Sequence, residues 1–170
     1  GQYAGAHYIH PIINKWSDKK KTKWKLLATG TSCKYWDEVG VNYKKIHKPN
    51  VSHVAECLDL LNPNLIITST SVNNDFETLF ILEAKKKSIP TVCFIDFWSN
   101  YLMRFKYKRE IIFPDNIFAI DNRCKEEMIL EGIPEKKIKV IGQPYLEKVL
   151  KNLPKMGDNL LLASQPIKKY

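Results

Sequence analysis

Apolar residues along the chain follow two alternating spacings. Short, mostly apolar runs occur at Trp24–Thr29, Leu65–Thr68, Thr91–Ile95, Phe118–Ile120 and Lys139–Ile141, each closing on small or polar residues. Such runs are what strands covered on both faces present. Between them, apolar residues return every third or fourth position, the spacing of one helix face. Asn50–Asn62 places Val51, Val54, Ala55, Leu58 and Leu61 together, and Asp75–Ser88 does so with Phe76, Leu79, Phe80 and Ala84. After Asp121-Asn122, a helix gathers Cys124, Met128 and Ile129 and turns Lys125, Glu126, Glu127 and Glu131 to water. Asn50 or Ser52, and Asp121 or Asn122, carry the side-chain oxygen that an N-cap needs. Pro63, Gly132 and Pro134 supply stops. Cys33–Val39 reads as a short helix, Asn42–Ile46 as an edge strand, and Tyr145–Leu153 as a last helix with Leu146, Val149 and Leu150 inward. The alternation predicts an open parallel sheet with helices on both faces.

The amino-terminal stretch departs from that rhythm. Ile9, Ile12, Ile13 and Trp16 keep helical spacing, but Pro11 suits a first helical turn, so the helix is expected to start near His10. No apolar strand precedes Gly5, so the first strand of a Rossmann-like domain is missing from this sequence or the start is irregular. Ser17–Lys23 is a charged connector. Residues 1–153 form one Rossmann-like domain in this reading. Pro154–Asp158 is a linker, and Asn159–Ser164 is the first strand of a truncated following domain within 154–170.

Composition narrows the class. With 170 residues, 44% hydrophobic and 26% charged, the chain can build a core, and no run approaches the length that spans a bilayer. Cys33, Cys57, Cys93 and Cys124 are far apart with no CxxC pair, which fits buried thiols in a reducing cytoplasm and gives no metal site. The formal charge of +9 favours polyanionic partners: nucleic acid, phosphorylated ligands or an anionic membrane face. The lysine clusters are scattered over several helix ends, which is unlike one nucleic-acid footprint.

In an open parallel sheet, ligands bind at the carboxyl ends of the strands. Those ends carry Gly30-Thr31-Ser32, Ser69-Thr70-Ser71, Asp121-Asn122 and Gly142-Gln143-Pro144. Gly30, Thr31, Ser69, Thr70, Asp121, Asn122, Gly142 and Gln143 are therefore candidate substrate-binding residues. The hydroxyls serve equally well as caps for the following helix. Asp96-Phe97-Trp98-Ser99-Asn100-Tyr101 is the most unusual segment. Trp98 and Tyr101 offer rings for a sugar or base to stack on, and Asp96 and Asn100 offer orienting hydrogen bonds. A packed aromatic corner is the competing explanation. Arg104, Lys106, Lys108 and Arg109 suit phosphates if the segment borders a cleft. Neither GxxxxGK[ST] nor GxGxxG is present.

Gly132-Ile133-Pro134, Lys137-Ile138-Lys139-Val140-Ile141-Gly142 and Pro144 resemble a recurrent piece of GT-B-type glycosyltransferases and of their fold relatives, the UDP-N-acetylglucosamine 2-epimerases. There the piece closes the amino-terminal domain. Gly5-Ala6-His7 followed by Pro11 resembles the first loop of GT-B glycosyltransferases. That likeness implies His7 as base or acceptor-side group, with Gly5 beside it and His10 as an equally placed competitor. Asp96, Trp98, Tyr101, Arg104 and Phe105 match a spacing seen in related proteins. The resemblance implies the amino-terminal, acceptor-side half of a glycosyltransferase of cell-envelope polysaccharide synthesis, cytoplasmic or peripheral at the inner face of the membrane. Its donor would be a nucleotide-activated sugar, bound through a carboxyl-terminal domain, and its acceptor a saccharide or lipid-linked saccharide, with no cofactor. His7 and Asp96 are the catalytic candidates, with Asp121 a further possible base. A nucleotide-sugar 2-epimerase or hydrolase is the alternative of the same fold. A non-catalytic basic α/β module binding nucleic acid or another polyanion is the alternative of another class.

Overall fold

The computed structural model describes residues 3–17, 23–72 and 75–151. Most of the charged connector and the linker and strand expected over 154–164 lie outside the described residues, as do the side chains of Trp16, Val149 and Leu150. In chain order the elements are α1 (Tyr3–Ser17), β1 (Leu27–Ala28), α2 (Ser32–Glu38), β2 (Lys44–Lys45), α3 (Val51–Leu61), β3 (Ile66–Thr68) and α4 (Phe76–Lys86). They continue as β4 (Thr91–Phe94), β5 (Lys106–Tyr107), β6 (Glu110–Ile111), β7 (Asn116–Ala119), α5 (Asn122–Leu130), β8 (Ile138–Val140) and α6 (Pro144–Lys151). No helix among the described residues is long and apolar enough to cross a membrane.

β3, β4, β7 and β8 form a parallel sheet in that order, and β1 pairs with β2 as a separate parallel sheet. The fold is thus α/β and Rossmann-like, with its parallel strands divided into two groups. Alternation along the strands sends side chains to two faces. Leu27 and Ile66 pack with Val54, Leu58, Leu79 and Phe80 of α3 and α4. Ala28 and Leu26 pack with Ala6 and Ile13 of α1 and Tyr35 and Trp36 of α2. A third cluster joins Cys93, Ile95, Ile117 and Ala119 to Cys124 and Met128 of α5 and to Tyr101 and Phe105. Helices therefore cover both faces, and all four cysteines are buried thiols.

The predicted caps form. Asn50 Oδ1 accepts from the His53 amide at 2.9 Å, and Asp121 Oδ1 accepts from the Cys124 amide at 2.7 Å. Three expectations are corrected. Ile129 of α5 is exposed rather than gathered inward with Cys124 and Met128. α1 begins at Tyr3 rather than near His10, with Pro11 inside it. Tertiary contacts hold the turns before Pro11: Ala6 and Tyr8 are buried, and the Tyr3 amide donates to Thr31 Oγ1 at 3.2 Å. Leu146 is 42% exposed rather than inward. α6 turns other residues to the body: Tyr145 reaches α1, and its ring centroid lies 4.9 Å from that of His7.

Candidate functional site

The carboxyl ends of β3, β4, β7 and β8 lie side by side because the four strands are parallel and in register. Ser69, Asp96, Asp121 and Gly142 follow those ends and share one rim. The first turns of α1 lie across it. A Cβ built on Gly5 would stand 2.4 Å from Ser69 Oγ, 2.7 Å from Ser69 Cβ and 4.0 Å from Asp96 Oδ2. Hydrogen at that position is what lets the helix come so close. The Tyr8 hydroxyl donates to the Gly142 carbonyl at 2.7 Å, tying α1 to the end of β8. The Tyr3–Thr31 bond ties it to the Gly30-Thr31 turn after β1. Gly30 holds φ +59° and Gly142 φ +91°, both in the left-handed region that glycine favours.

At the centre is a buried ion pair. Arg104 Nη1 donates to Asp96 Oδ1 and to Thr70 Oγ1, both at 2.9 Å, and Arg104 Nε donates to the Ser99 carbonyl at 3.0 Å. The Asp96 and Arg104 side chains are each only 6% exposed. Arg104 is thus turned inward to hold Asp96 and Thr70 instead of reaching out to a phosphate. Asp96 Oδ2 is the oxygen on the Gly5–Ser69 side, while Oδ1 is held by the guanidinium. Thr70 is buried, and its hydroxyl also lies 3.4 Å from the Phe94 carbonyl that accepts from it.

His7 and His10 separate clearly. The His7 ring lies among Tyr3, Tyr35 and Tyr145, with centroid distances of 4.9, 4.1 and 4.9 Å. His10 is turned toward α2: its Nδ1 is 2.6 Å from the Tyr35 hydroxyl, and Asn14 Nδ2 is 3.1 Å from its Nε2. His7 therefore sits near the rim, and His10 wedges two helices together.

The aromatic segment after β4 divides in the same way. Trp98 Nε1 donates to Asp121 Oδ2 at 2.8 Å. With Oδ1 capping α5, both Asp121 oxygens are engaged. Tyr101 is 1% exposed and donates to Glu127 Oε2 at 2.6 Å. Burial, then that bond, pushes the Tyr101 phenol up. The Tyr101 hydroxyl, then Arg123, holds the Glu127 carboxyl below its usual range. Tyr101 is a core residue. Phe97 is 60% exposed, and Asn100, at φ +53°, is exposed in a tight turn. Gln143 Oε1 accepts from the Tyr145 and Leu146 amides at 2.9 and 3.2 Å and caps α6, and Asn122 is exposed at the start of α5.

The rim therefore unites Gly5, Thr31, Ser69, Thr70, Asp96, Arg104 and Gly142, with His7 beside it. Sequence reasoning missed the tyrosines. Tyr3, Tyr8, Tyr35 and Tyr145 come from three helices, and their ring positions follow from helix packing. A hollow of about 290 Å³ lined by Lys44, Ile46, His53, Cys57 and Phe80 lies elsewhere, between β2 and α3. Its lining carries one carboxylate, Glu56, among lysines, histidines and apolar residues, and none of the hydroxyls that mark the rim.

No family model matches the chain, and no curated protein matches it in sequence. Solved structures do match in fold. A Methanocaldococcus jannaschii UDP-GlcNAc 2-epimerase in complex with UDP-GlcNAc and UDP aligns at TM-score 0.65 and 16% identity, over 88% of this chain and 46% of that one. A complex of S. aureus MnaA with UDP aligns at TM-score 0.66 and 11% identity, over 94% and 48%. The Rickettsia bellii UDP-N-acetylglucosamine 2-epimerase aligns at 0.62 and 20%, over 89% and 45%. The chain has the fold of one GT-B half. It spans somewhat under half the length of these proteins, and at such identities the likeness concerns fold alone.

Proposed function

We propose that this GT-B half is the amino-terminal domain of an enzyme acting on a nucleotide-activated sugar, and that its rim faces the sugar. The observation that carries the reading is the convergence at Gly5: helix α1 brings its backbone against Ser69 and Asp96, so a hydroxyl and a carboxylate oxygen lie where parallel strands end. Hydroxyl and carboxylate groups suit the many hydroxyls of a sugar. His7 and Asp96 are the candidates for moving a proton, Asp96 fixed in orientation by Arg104 and Thr70. Ser69, Thr31 and the Gly142 loop position the ligand. Trp98 and Asp121 brace the rim from the β7 side. The nucleotide would be held by a second domain.

Two reactions fit this half. The fold neighbours are epimerases, which shifts the balance from glycosyl transfer toward epimerisation or hydrolysis of the nucleotide-sugar. Epimerisation requires proton removal and return at a sugar carbon, and His7 and Asp96 are the proton-carrying groups this half offers for those steps, without a contact between the two. Glycosyl transfer in envelope polysaccharide synthesis is the second reading, supported only by the likeness of the Gly5-Ala6-His7 and Pro11 sequence to the first loop of transferases, although here these residues lie within α1.

Isothermal calorimetry of the chain with UDP-GlcNAc, UDP and N-acetylglucosamine tests the reading. Heat from the two sugar-bearing ligands, abolished by Asp96→Asn, is the expected result. Heat from UDP alone, or from all ligands unchanged in Asp96→Asn, would place binding elsewhere and overturn it.

A further inference from the structure

The loop that follows β4 is fastened along most of its length. Arg104 holds the Asp96 carboxylate, and the Ser99 carbonyl accepts from Arg104 Nε at 3.0 Å. The Trp98 indole donates to Asp121 Oδ2 at 2.8 Å, and its ring packs against the cluster of β4, β7 and α5. The Tyr101 hydroxyl donates to Glu127, and the Leu102 amide donates to Glu131 Oε2 at 2.7 Å. The Ser99 amide donates to the Phe97 carbonyl at 3.1 Å and closes a tight turn.

Within this fixed loop the Phe97 side chain stands apart. It joins none of the three core clusters and is 60% exposed. Among the described residues its ring meets one other, Trp98, at 6.2 Å between centroids and 69° between planes. A single exposed apolar residue is ordinary on a protein surface. The place of this one is not. Phe97 directly follows Asp96 at the carboxyl end of β4, the strand between β3 and β7. Its ring neighbour Trp98 is fastened to Asp121 at the end of β7. The Phe97 ring therefore lies at the rim on the β7 side of the Asp96 carboxylate, while Gly5 and Ser69 lie on the β3 side.

We propose that Phe97 is the platform on which the sugar of a nucleotide-sugar stacks, and this rests on the rim reading above. Hydroxyls project around the edge of a pyranose, and C–H bonds project from its faces. The face of an aromatic ring is electrically negative and attracts the slightly positive C–H hydrogens. One pyranose can thus lie with a C–H face on Phe97 and its hydroxyl edge toward Asp96 and Ser69. Covering the ring also removes apolar surface from water. The other rings of the segment are occupied: Trp98 by Asp121, and Tyr101 by the core and Glu127. Trp98 buttresses Phe97 from the side, and the turn fixes its backbone, so stacking orders little that is not already ordered. Phe97 selects for the sugar and not for the nucleotide, which a second domain would hold.

Isothermal calorimetry of the chain, Phe97→Ala and Phe97→Tyr, each with UDP-GlcNAc and with UDP, tests the proposal. The side chain is exposed and outside the core clusters, so both variants keep the fold, and Phe97→Tyr keeps the ring. Phe97→Ala weakens UDP-GlcNAc by about tenfold, and Phe97→Tyr stays within about twofold of the unaltered chain. Any heat from UDP is the same in all three. UDP-GlcNAc affinity unchanged in Phe97→Ala but lost in Asp96→Asn overturns the proposal and leaves the rim reading intact. Phe97→Tyr as weak as Phe97→Ala also overturns it, because the ring is then not what binds. A loss shared equally by UDP and UDP-GlcNAc sets the ring against the nucleotide and overturns it as well. No binding of UDP-GlcNAc to the unaltered chain overturns the rim reading and the platform together.

Discussion

Removing Arg104 is the most telling perturbation of the rim. Its guanidinium and the Asp96 carboxylate are 2.9 Å apart, and each side chain is 6% exposed. Arg104→Met keeps most of the volume and strands the carboxylate in a site with little water. Breaking a buried pair in this way costs about 3–5 kcal/mol. A domain holds about 5–15 kcal/mol in total, so about a fifth or more of the stability is at stake. At about 2–4 °C per kcal/mol for a chain of this size, the melting temperature falls by roughly 6–20 °C. Ser99 is partly exposed, so water can replace the lost donor at its carbonyl, and Thr70 keeps its bond to Phe94. The loss therefore comes mainly from Asp96. The double variant Asp96→Leu/Arg104→Met removes both charges and recovers most of it, because a well-packed apolar pair is often as stable as a buried ion pair. Urea unfolding followed by circular dichroism measures all four members of the cycle. Single losses of under about 1 kcal/mol, the range of a solvated surface pair, would refute the reasoning. So would a double variant no better than the sum of the singles.

Gly5→Ala overpacks the contact with Ser69 and lowers stability by about 1–3 kcal/mol in denaturant melts, and the companion Ser69→Gly removes both clashing atoms and restores it. Asp121→Ala removes the α5 cap and the acceptor of the Trp98 indole, costing about 1–2 kcal/mol with a change in tryptophan emission maximum. Burial pushes the Asp115 carboxyl up, but the Thr91 hydroxyl and amide, helped by Lys137, outweigh it and hold it below its ordinary value. A lowered folded pKa stabilises above the unfolded value of about 3.9, and that contribution disappears as pH falls through the folded pKa. Thr91→Val therefore weakens the chain more at neutral pH than in acid, and urea midpoints on either side of pH ~4 check the sign.

The sequence spoke most clearly where local signals agreed. α3 and α5 combine a capping side chain, a one-sided apolar stripe and a stop, and their interiors appear as read except at Ile129, which is exposed. β4 showed as an apolar run because both of its faces are covered, whereas the apolar residues Val140 and Ile141 at the edge strand β8 are exposed. α1 was misplaced because Pro11 is a strong local signal that packing against β1, β3 and α2 overrides. Leu146 misled for the same reason: an apolar residue in a short terminal helix does not say which face is buried. The β5–β6 hairpin was hidden inside a basic stretch, and its turn residue Lys108 adopts φ +54° without a glycine to announce it. At the rim, the strand-end rule brought Ser69, Asp96, Asp121 and Gly142 together from the sequence. It did not show that Arg104 turns inward, that both Asp121 oxygens are engaged, or that tyrosines surround His7. Those features depend on side-chain direction and on residues far apart in the chain.

Amide chemical shifts of the isotopically labelled chain, followed as UDP-GlcNAc is added, show whether the sugar meets the rim. Movements centred on Gly5, Ser69, Asp96 and Gly142 that vanish in Asp96→Asn are expected. Movements confined to the hollow near Lys44 and His53, or none at saturating ligand, would exclude the rim as the sugar site.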